Sequence, residues 1–284
     1  MLSSNFNNKY NSSISYSIEG NKQDGVCLFF LNGMFKGKES WIKQIRSRRL
    51  QKYKLIFMDY PGFGDAALPE QYNDYMTLVI NNMCSIIDNE KEEKVYIIGY
   101  SLGGVFACWF AALHPDKIKA LILISSGFFL STYMKVIVNQ SLNLLSSSAE
   151  FSLIYPYIYI WQYSENYLER LIDYESHKKT NGNDYIKDKK ALRDQMIIAS
   201  ELERYRSCVN KIKCPGLMIG GNRDMVMPFD RQKKIFDGKE KFEFKSIPDA
   251  SHSTIIENYQ DVNGNLNEFL LQSENQKRGD VFNE

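Results

Sequence analysis

The chain has 284 residues, with 35 lysines and arginines against 34 aspartates and glutamates, for a formal net charge of +1. So even a balance gives no global field to recruit nucleic acid or an anionic membrane, and no run of about 18 consecutive apolar residues is present to span a bilayer. The length suits one α/β domain with an insertion better than two independent domains.

The N-terminal stretch MLSSNFNNKYNSS is polar and lacks the apolar core of a signal peptide. The five cysteines (Cys27, Cys84, Cys108, Cys208 and Cys214) are odd in number and scattered, several within apolar runs. That suits buried, reduced thiols and a cytoplasmic protein rather than a disulfide framework. There is no CxxC or HxxxH spacing, and histidines number three in all. Neither a metal nor an organic cofactor is expected.

In chain order, Ile14, Tyr16 and Ile18 alternate with Ser13, Ser15, Ser17 and Glu19, the period of two of a half-exposed strand. Continuous apolar runs follow: VCLFFL (26–31), LIFM (55–58), VYIIG (95–99), ALILI (120–124) and GLMIG (216–220), with FEFKSI (242–247) a weaker, alternating candidate. Short runs of this kind suit strands buried on both faces of a parallel sheet. Between LIFM and VYIIG, Tyr75, Leu78, Val79, Met83, Ile86 and Ile87 recur at spacings of three and four, which predicts a helix. Strands alternating with helices imply an α/β fold with helices on both faces of the sheet. The alternation breaks once. Residues 128–207 return no convincing strand, and we read them as a helical cap inserted into a core made of 1–127 and 208–284. The polar C-terminus, QSENQKRGDVFNE, reads as frayed.

GYSLGG (99–104) lies between the VYII strand and a helical run. A serine hydroxyl is a weak nucleophile unless a base takes its proton and donors hold the oxyanion that forms. A sharp strand-to-helix turn, with small residues two positions either side as in G-x-S-x-G, lifts the side chain clear and sets backbone N–H groups beside it. The plainer reading is that Ser101 caps a helix, a role serine favours. For a base there are three choices. His114 lies at the far end of the helix that Ser101 opens, and His177 lies in a charged stretch of the insertion. His252, in the loop after the last strand, is at the sheet edge that carries Ser101. For an acid, Asp224 follows the GLMIG strand at the same edge and is preferred to Asp249, three residues before His252. The N–H of Leu102 and that of Met34, in the loop after VCLFFL, are the candidate oxyanion donors.

Taken together, NGMF (32–35), DYPGFGDA (59–66), GYSLGG (99–104), GGNRDMVMP (220–228) and DASH (249–252) resemble the α/β-hydrolase superfamily of serine hydrolases over residues 13 to 272. The resemblance implies a mostly parallel sheet of eight strands, a lid after the sixth, a Ser101–His252–Asp224 triad, and a structural turn role for Asp59. Two departures from the pattern are Asn32 where the family usually has histidine before Gly33, and Asp65 where it often has serine or threonine. A serine nucleophile argues against epoxide-hydrolase and dehalogenase chemistry, in which such relatives use aspartate. The expected reaction is cleavage of an ester or thioester of an apolar acyl group through an acyl-enzyme. Rival readings are a thioesterase or acyltransferase, a carbon–carbon bond hydrolase, or a ligand receptor on the same scaffold. Phe35, Phe128, Phe129 and Trp161 are candidate substrate contacts, although aromatic residues in such an insertion more often pack against one another. The basic run WIKQIRSRRLQKYK (41–54) reads as a solvated helix face, with docking of an acyl carrier protein as the alternative.

Overall fold

The computed structural model describes residues 2–7, 13–21, 25–147, 151–170 and 186–281. Eight strands form one sheet: β1 (Leu2–Asn7), β2 (Ser13–Gly20), β3 (Cys27–Leu31), β4 (Lys54–Met58), β5 (Val95–Tyr100), β6 (Ile118–Ile124), β7 (Gly216–Gly221) and β8 (Phe242–Ile247). Their spatial order is β1-β2-β4-β3-β5-β6-β7-β8. β1 pairs antiparallel with β2 and β2 with β4, while every later pairing is parallel.

The continuous apolar runs follow from burial on both faces. Phe29, Leu31, Ile56, Met58, Ile97 and Leu123 point into one core, and the alternate residues Leu28, Phe30, Leu55, Phe57, Ile98 and Ile124 into the other. On the first side lie α2 (Tyr75–Asn89) and α3 (Leu102–Leu113), the former started by an Asp74 side chain that accepts from the Thr77 N–H. On the second lie the short α1 (Ile42–Ile45) and a long C-terminal helix, Tyr259–Val281. Trp41, Ile45, Leu50 and Tyr53 are buried there, so the basic run 41–54 is amphipathic rather than wholly solvated.

Two elements differ from the sequence reading. β1 forms within the stretch read only as polar, because its residues Leu2 to Asn7 pair in register with β2 at the sheet edge, where polar residues are usual. The C-terminal helix takes in most of the tail read as frayed, and Glu274 within it accepts a hydrogen bond from Tyr96 on β5.

Between β6 and β7 the described residues are helical: α4 (Thr132–Ser146), α5 (Phe151–Tyr159), α6 (Glu165–Arg170), α7 (Lys189–Ser200) and α8 (Leu202–Tyr205). Residues 154–161, IYPYIYIW, belong to α5 and the 3-10 turn that follows.

Beyond β4 the chain turns at Asp59, whose carboxylate accepts from Lys38 Nζ at 2.8 Å and from the Ser15 hydroxyl at 3.1 Å. Both charged side chains are buried, so removing Asp59 leaves Lys38 only the exposed Asp65 carboxylate at 3.7 Å. Asp59→Ala should lower stability by ~3–5 kcal/mol, read from the urea midpoint. Pairing it with Lys38→Met should recover much of that loss.

Candidate active site

Ser101 stands between β5 and α3 at φ 52 and ψ −123, a backbone conformation that side-chain-bearing residues rarely adopt. Holding it there costs on the order of 1–3 kcal/mol, which the surroundings must over-determine. The Ser101 N–H donates to the Ile124 carbonyl at 3.0 Å, and its own carbonyl accepts from the Gly104 N–H and the Ser126 hydroxyl. The flanking glycines are required by contact. A Cβ on Gly103 would lie 2.4 Å from the Leu31 carbonyl oxygen, and one on Gly99 would lie 2.4 Å from the Gly104 Cα. Ser101 makes no side-chain cap bond to α3. Its hydroxyl is instead 2.9 Å from His252 Nε2.

His252 and Asp224 are both buried, and His252 Nδ1 is 2.8 Å from Asp224 Oδ2. A carboxylate can only accept, so Nδ1 carries the proton and Nε2 is left to accept from the serine. The other Asp224 oxygen accepts from the Val226 and Met227 N–H groups, each at 2.8 Å, which fixes the carboxylate after β7. The Tyr100 ring packs 5.5 Å from the imidazole. Asp249 is elsewhere, exposed and paired with Arg223. His114 closes the far end of α3, 3.4 Å from the Cys84 sulfur, and His177 falls outside the described residues.

A narrow cavity of about 30 Å³ opens on Ser101 and His252. Gly33, Met34 and Leu102 border it near the serine, while Leu130, Met134, Val138, Ile158, Val226 and Met227 supply an apolar wall. Leu102 is the first residue of α3, where a backbone N–H has no acceptor within the helix. The Gly33 loop is held by Asn32: its side-chain amide donates to the Met58 carbonyl and its carbonyl accepts from the Tyr60 hydroxyl.

The four aromatic residues expected at the substrate are not among those lining this cavity. Phe128 is buried against Phe236, and Phe129 lies between the cations of Lys135 and Arg231. Trp161 stacks on the exposed Tyr133 ring. Phe35 is buried at φ 63 beneath the loop, where its N–H donates to Gln195. Ring-to-ring and ring-to-cation packing absorbs Phe128, Phe129 and Trp161, and aliphatic residues of α4, α5 and the β7–α9 loop (α9, Phe229–Ile235) face the cavity instead.

Several residues of the site went unnoticed in the sequence. Lys36 lines the cavity, with Nζ 3.1 Å from the Tyr155 hydroxyl. Burial acts to lower its pKa and the neighbouring Tyr163 and Tyr155 act to raise it, the net direction being upward. Its position within NGMFKG was the one available signal. Gln195, on α7, reaches the Phe35 N–H and the Tyr75 hydroxyl. The Gln162 carbonyl accepts from the Ser253 N–H at 2.8 Å, beside His252. Glu257, in the short helix α10 (Thr254–Glu257), accepts from the Ser164 N–H and from the hydroxyls of Ser164 and Ser251.

A glycine-flanked serine turn at the C-terminal edge of a parallel sheet, with helices inserted after the sixth strand, defines a fold class that comparison with known proteins supports. The family model for the alpha/beta hydrolase fold matches residues 27–259, and the chain belongs to that family. It is 23% identical over 263 residues to Lipase 1 of Psychrobacter immobilis, across 89% of this chain and 79% of that protein. Over 105 residues, 37% of this chain, it is 28% identical to Epoxide hydrolase 2 of Siraitia grosvenorii, and that match spans only 33% of the relative's length. Among solved structures, MGS-M2, an alpha/beta hydrolase enzyme from a Medee basin deep-sea metagenome library, superposes with a TM-score of 0.79 at 20% identity, covering 94% of this chain and 97% of that one. No described helix is long and apolar enough to cross a membrane.

Because Glu257 ties the inserted helices to the loop of His252, Glu257→Ala should leave the Ser164 N–H and hydroxyl without their acceptor, while the Ser251 hydroxyl keeps the Gln162 carbonyl at 3.1 Å. A loss of ~1–3 kcal/mol is expected, measured as a shift of the urea midpoint, with increased proteolytic cleavage near residue 164.

Proposed function

We propose that the protein is a hydrolase that cleaves an ester or thioester of an apolar acyl group through Ser101, His252 and Asp224. The observation that carries this is the relay of 2.9 Å from Ser101 Oγ to His252 Nε2 and 2.8 Å from His252 Nδ1 to Asp224. His252 accepts the Ser101 proton as Oγ bonds to the substrate carbonyl carbon, and the carbonyl electron pair moves onto oxygen. The N–H groups of Met34 and Leu102 receive that oxyanion. As it collapses, the bond to the leaving group breaks, and His252 gives its proton to the departing alkoxide or thiolate. An acyl-enzyme remains on Ser101. Water then gives a proton to His252 and attacks the same carbon, and the acid departs with Oγ reprotonated. Asp224 holds the imidazole tautomer and stabilises the imidazolium throughout.

A serine at this position supports acyl transfer over the chemistry named for the epoxide-hydrolase relative. The aliphatic wall of Leu130, Met134, Val138 and Ile158 supports an apolar acyl group. Residues 128–207 act as the cap that supplies this wall. The five cysteines form no disulfide, which agrees with a cytoplasmic setting. A second reading, delivery of the acyl group by an acyl carrier protein, has one observation in its favour: Lys43, Arg46, Arg48 and Arg49 border a single concave face beside Tyr259. Added salt should then raise KM for a carrier-bound thioester but not for a free one.

A fluorophosphonate probe should label the wild type and not Ser101→Ala. Turnover of p-nitrophenyl butyrate should fall at least ~10³-fold in Ser101→Ala and about 10⁴-fold in Asp224→Asn, which presents the wrong tautomer. Labelling that persists without Ser101 overturns the assignment. Met134→Trp should shift the preferred acyl chain to shorter esters, measured as kcat/KM across a chain-length series.

A further inference from the structure

We propose that Gln195, carried by the inserted helices, is a positioning residue for the first oxyanion donor: it occupies the Phe35 amide and so leaves the Met34 N–H to the substrate oxygen. The inference rests on the hydrolase reading above and adds a residue on which the chemistry of that reading depends.

The loop after β3 is not relaxed. Phe35 adopts φ 63, a left-handed backbone that a bulky side chain rarely takes, and such a conformation persists only where its surroundings hold it. The Phe35 ring is buried, and its N–H donates to Gln195 Oε1 at 3.4 Å. The next amide, that of Lys36, donates to the Gly33 carbonyl at 3.3 Å and closes the turn. The amides of Phe35 and Lys36 are therefore engaged, whereas among the described residues the Met34 N–H has no acceptor. Met34 borders the cavity together with Ser101.

The direction of the Gln195 amide is fixed by its other end. Nε2 donates to the Tyr75 hydroxyl at 3.4 Å, and that hydroxyl donates to the Pro61 carbonyl at 2.8 Å. With its proton committed to Pro61, the hydroxyl accepts from Nε2, so Oε1 is the atom turned to Phe35. Gln195 is fully buried, and it lies on α7, 160 residues beyond the loop it holds. The turn that presents the Met34 N–H is thus completed by a helix of the insertion, and it loses that support when α7 is displaced.

The plainer role for Gln195 is to satisfy a buried amide and contribute to stability alone. The two roles separate in kcat and in affinity for an oxyanion. Gln195→Met keeps most of the side-chain volume and removes the acceptor. With p-nitrophenyl butyrate its kcat should fall by about tenfold or more, part of the roughly hundred- to thousandfold that outright loss of a donor costs, while KM stays within about threefold. Butyl trifluoromethyl ketone forms a tetrahedral oxyanion when Ser101 Oγ adds to its carbonyl. Its Ki should rise by the factor by which kcat/KM falls. If Gln195→Met does not fold, Tyr75→Phe carries the test. It removes the acceptor that orients the amide and should lower kcat by about threefold, again without raising KM.

A folded variant with a lower Tm but unchanged kcat and unchanged Ki overturns the proposal, and so does a rise in KM that leaves Ki unaltered. If the fluorophosphonate labels wild-type Ser101 and esters turn over equally well in the Gln195 variant, the Gln195 assignment alone falls. If wild-type Ser101 is not labelled and no ester turns over, the hydrolase reading falls and takes this inference with it.

Discussion

The hydrogen bond between the Ser101 hydroxyl and the His252 imidazole joins residues 151 positions apart, and each partner is held by its own set of contacts. The serine keeps its positive φ because its amide is tied to β6 and because glycines at 99 and 103 let strand, turn and helix approach within contact distance. The histidine is fixed by a buried carboxylate on one side and by the Gln162 carbonyl beneath its neighbour Ser253 on the other. A parallel sheet makes the meeting possible. It delivers the ends of β5, β7 and β8 to one edge, so loops distant in sequence share one rim.

That rim was legible because its ingredients are chemically distinctive. Strands buried on both faces leave unbroken apolar runs, as in VCLFFL and VYIIG. The turn at Ser101 demands glycine at fixed offsets. With three histidines in the chain, the position of each after a strand, after a helix or within the insertion is nearly enough to choose among them. The cavity wall was not legible. Aromatic residues drew attention in the insertion, yet Phe128 and Trp161 find partners in other rings, and the wall falls to Leu130, Met134, Val138 and Ile158. Aliphatic residues on a helix carry no mark in sequence that separates those facing a core from those facing a cleft. β1 was missed for a related reason, since an edge strand has polar residues and no hydrophobic run to announce it.

The roles of Lys36, Gln195 and Glu257 depend on partners more than a hundred or close to a hundred residues away, at Tyr155, Phe35 and Ser164. Such pairings arise only when the insertion folds down over the sheet. Asn32 is an intermediate case. It stands where the family usually has histidine, yet its amide bridges the ends of β3 and β4 and gives the Gly33 loop a fixed base.

The bond from Ser253 to the Gln162 carbonyl has a consequence for anyone who treats the inserted helices as an exchangeable module. Grafting in a different set of helices to alter which molecules enter would also remove the backbone acceptor that steadies the imidazole loop. A chimera of that kind would change reactivity and selectivity together, unless the graft presents a carbonyl at the same point.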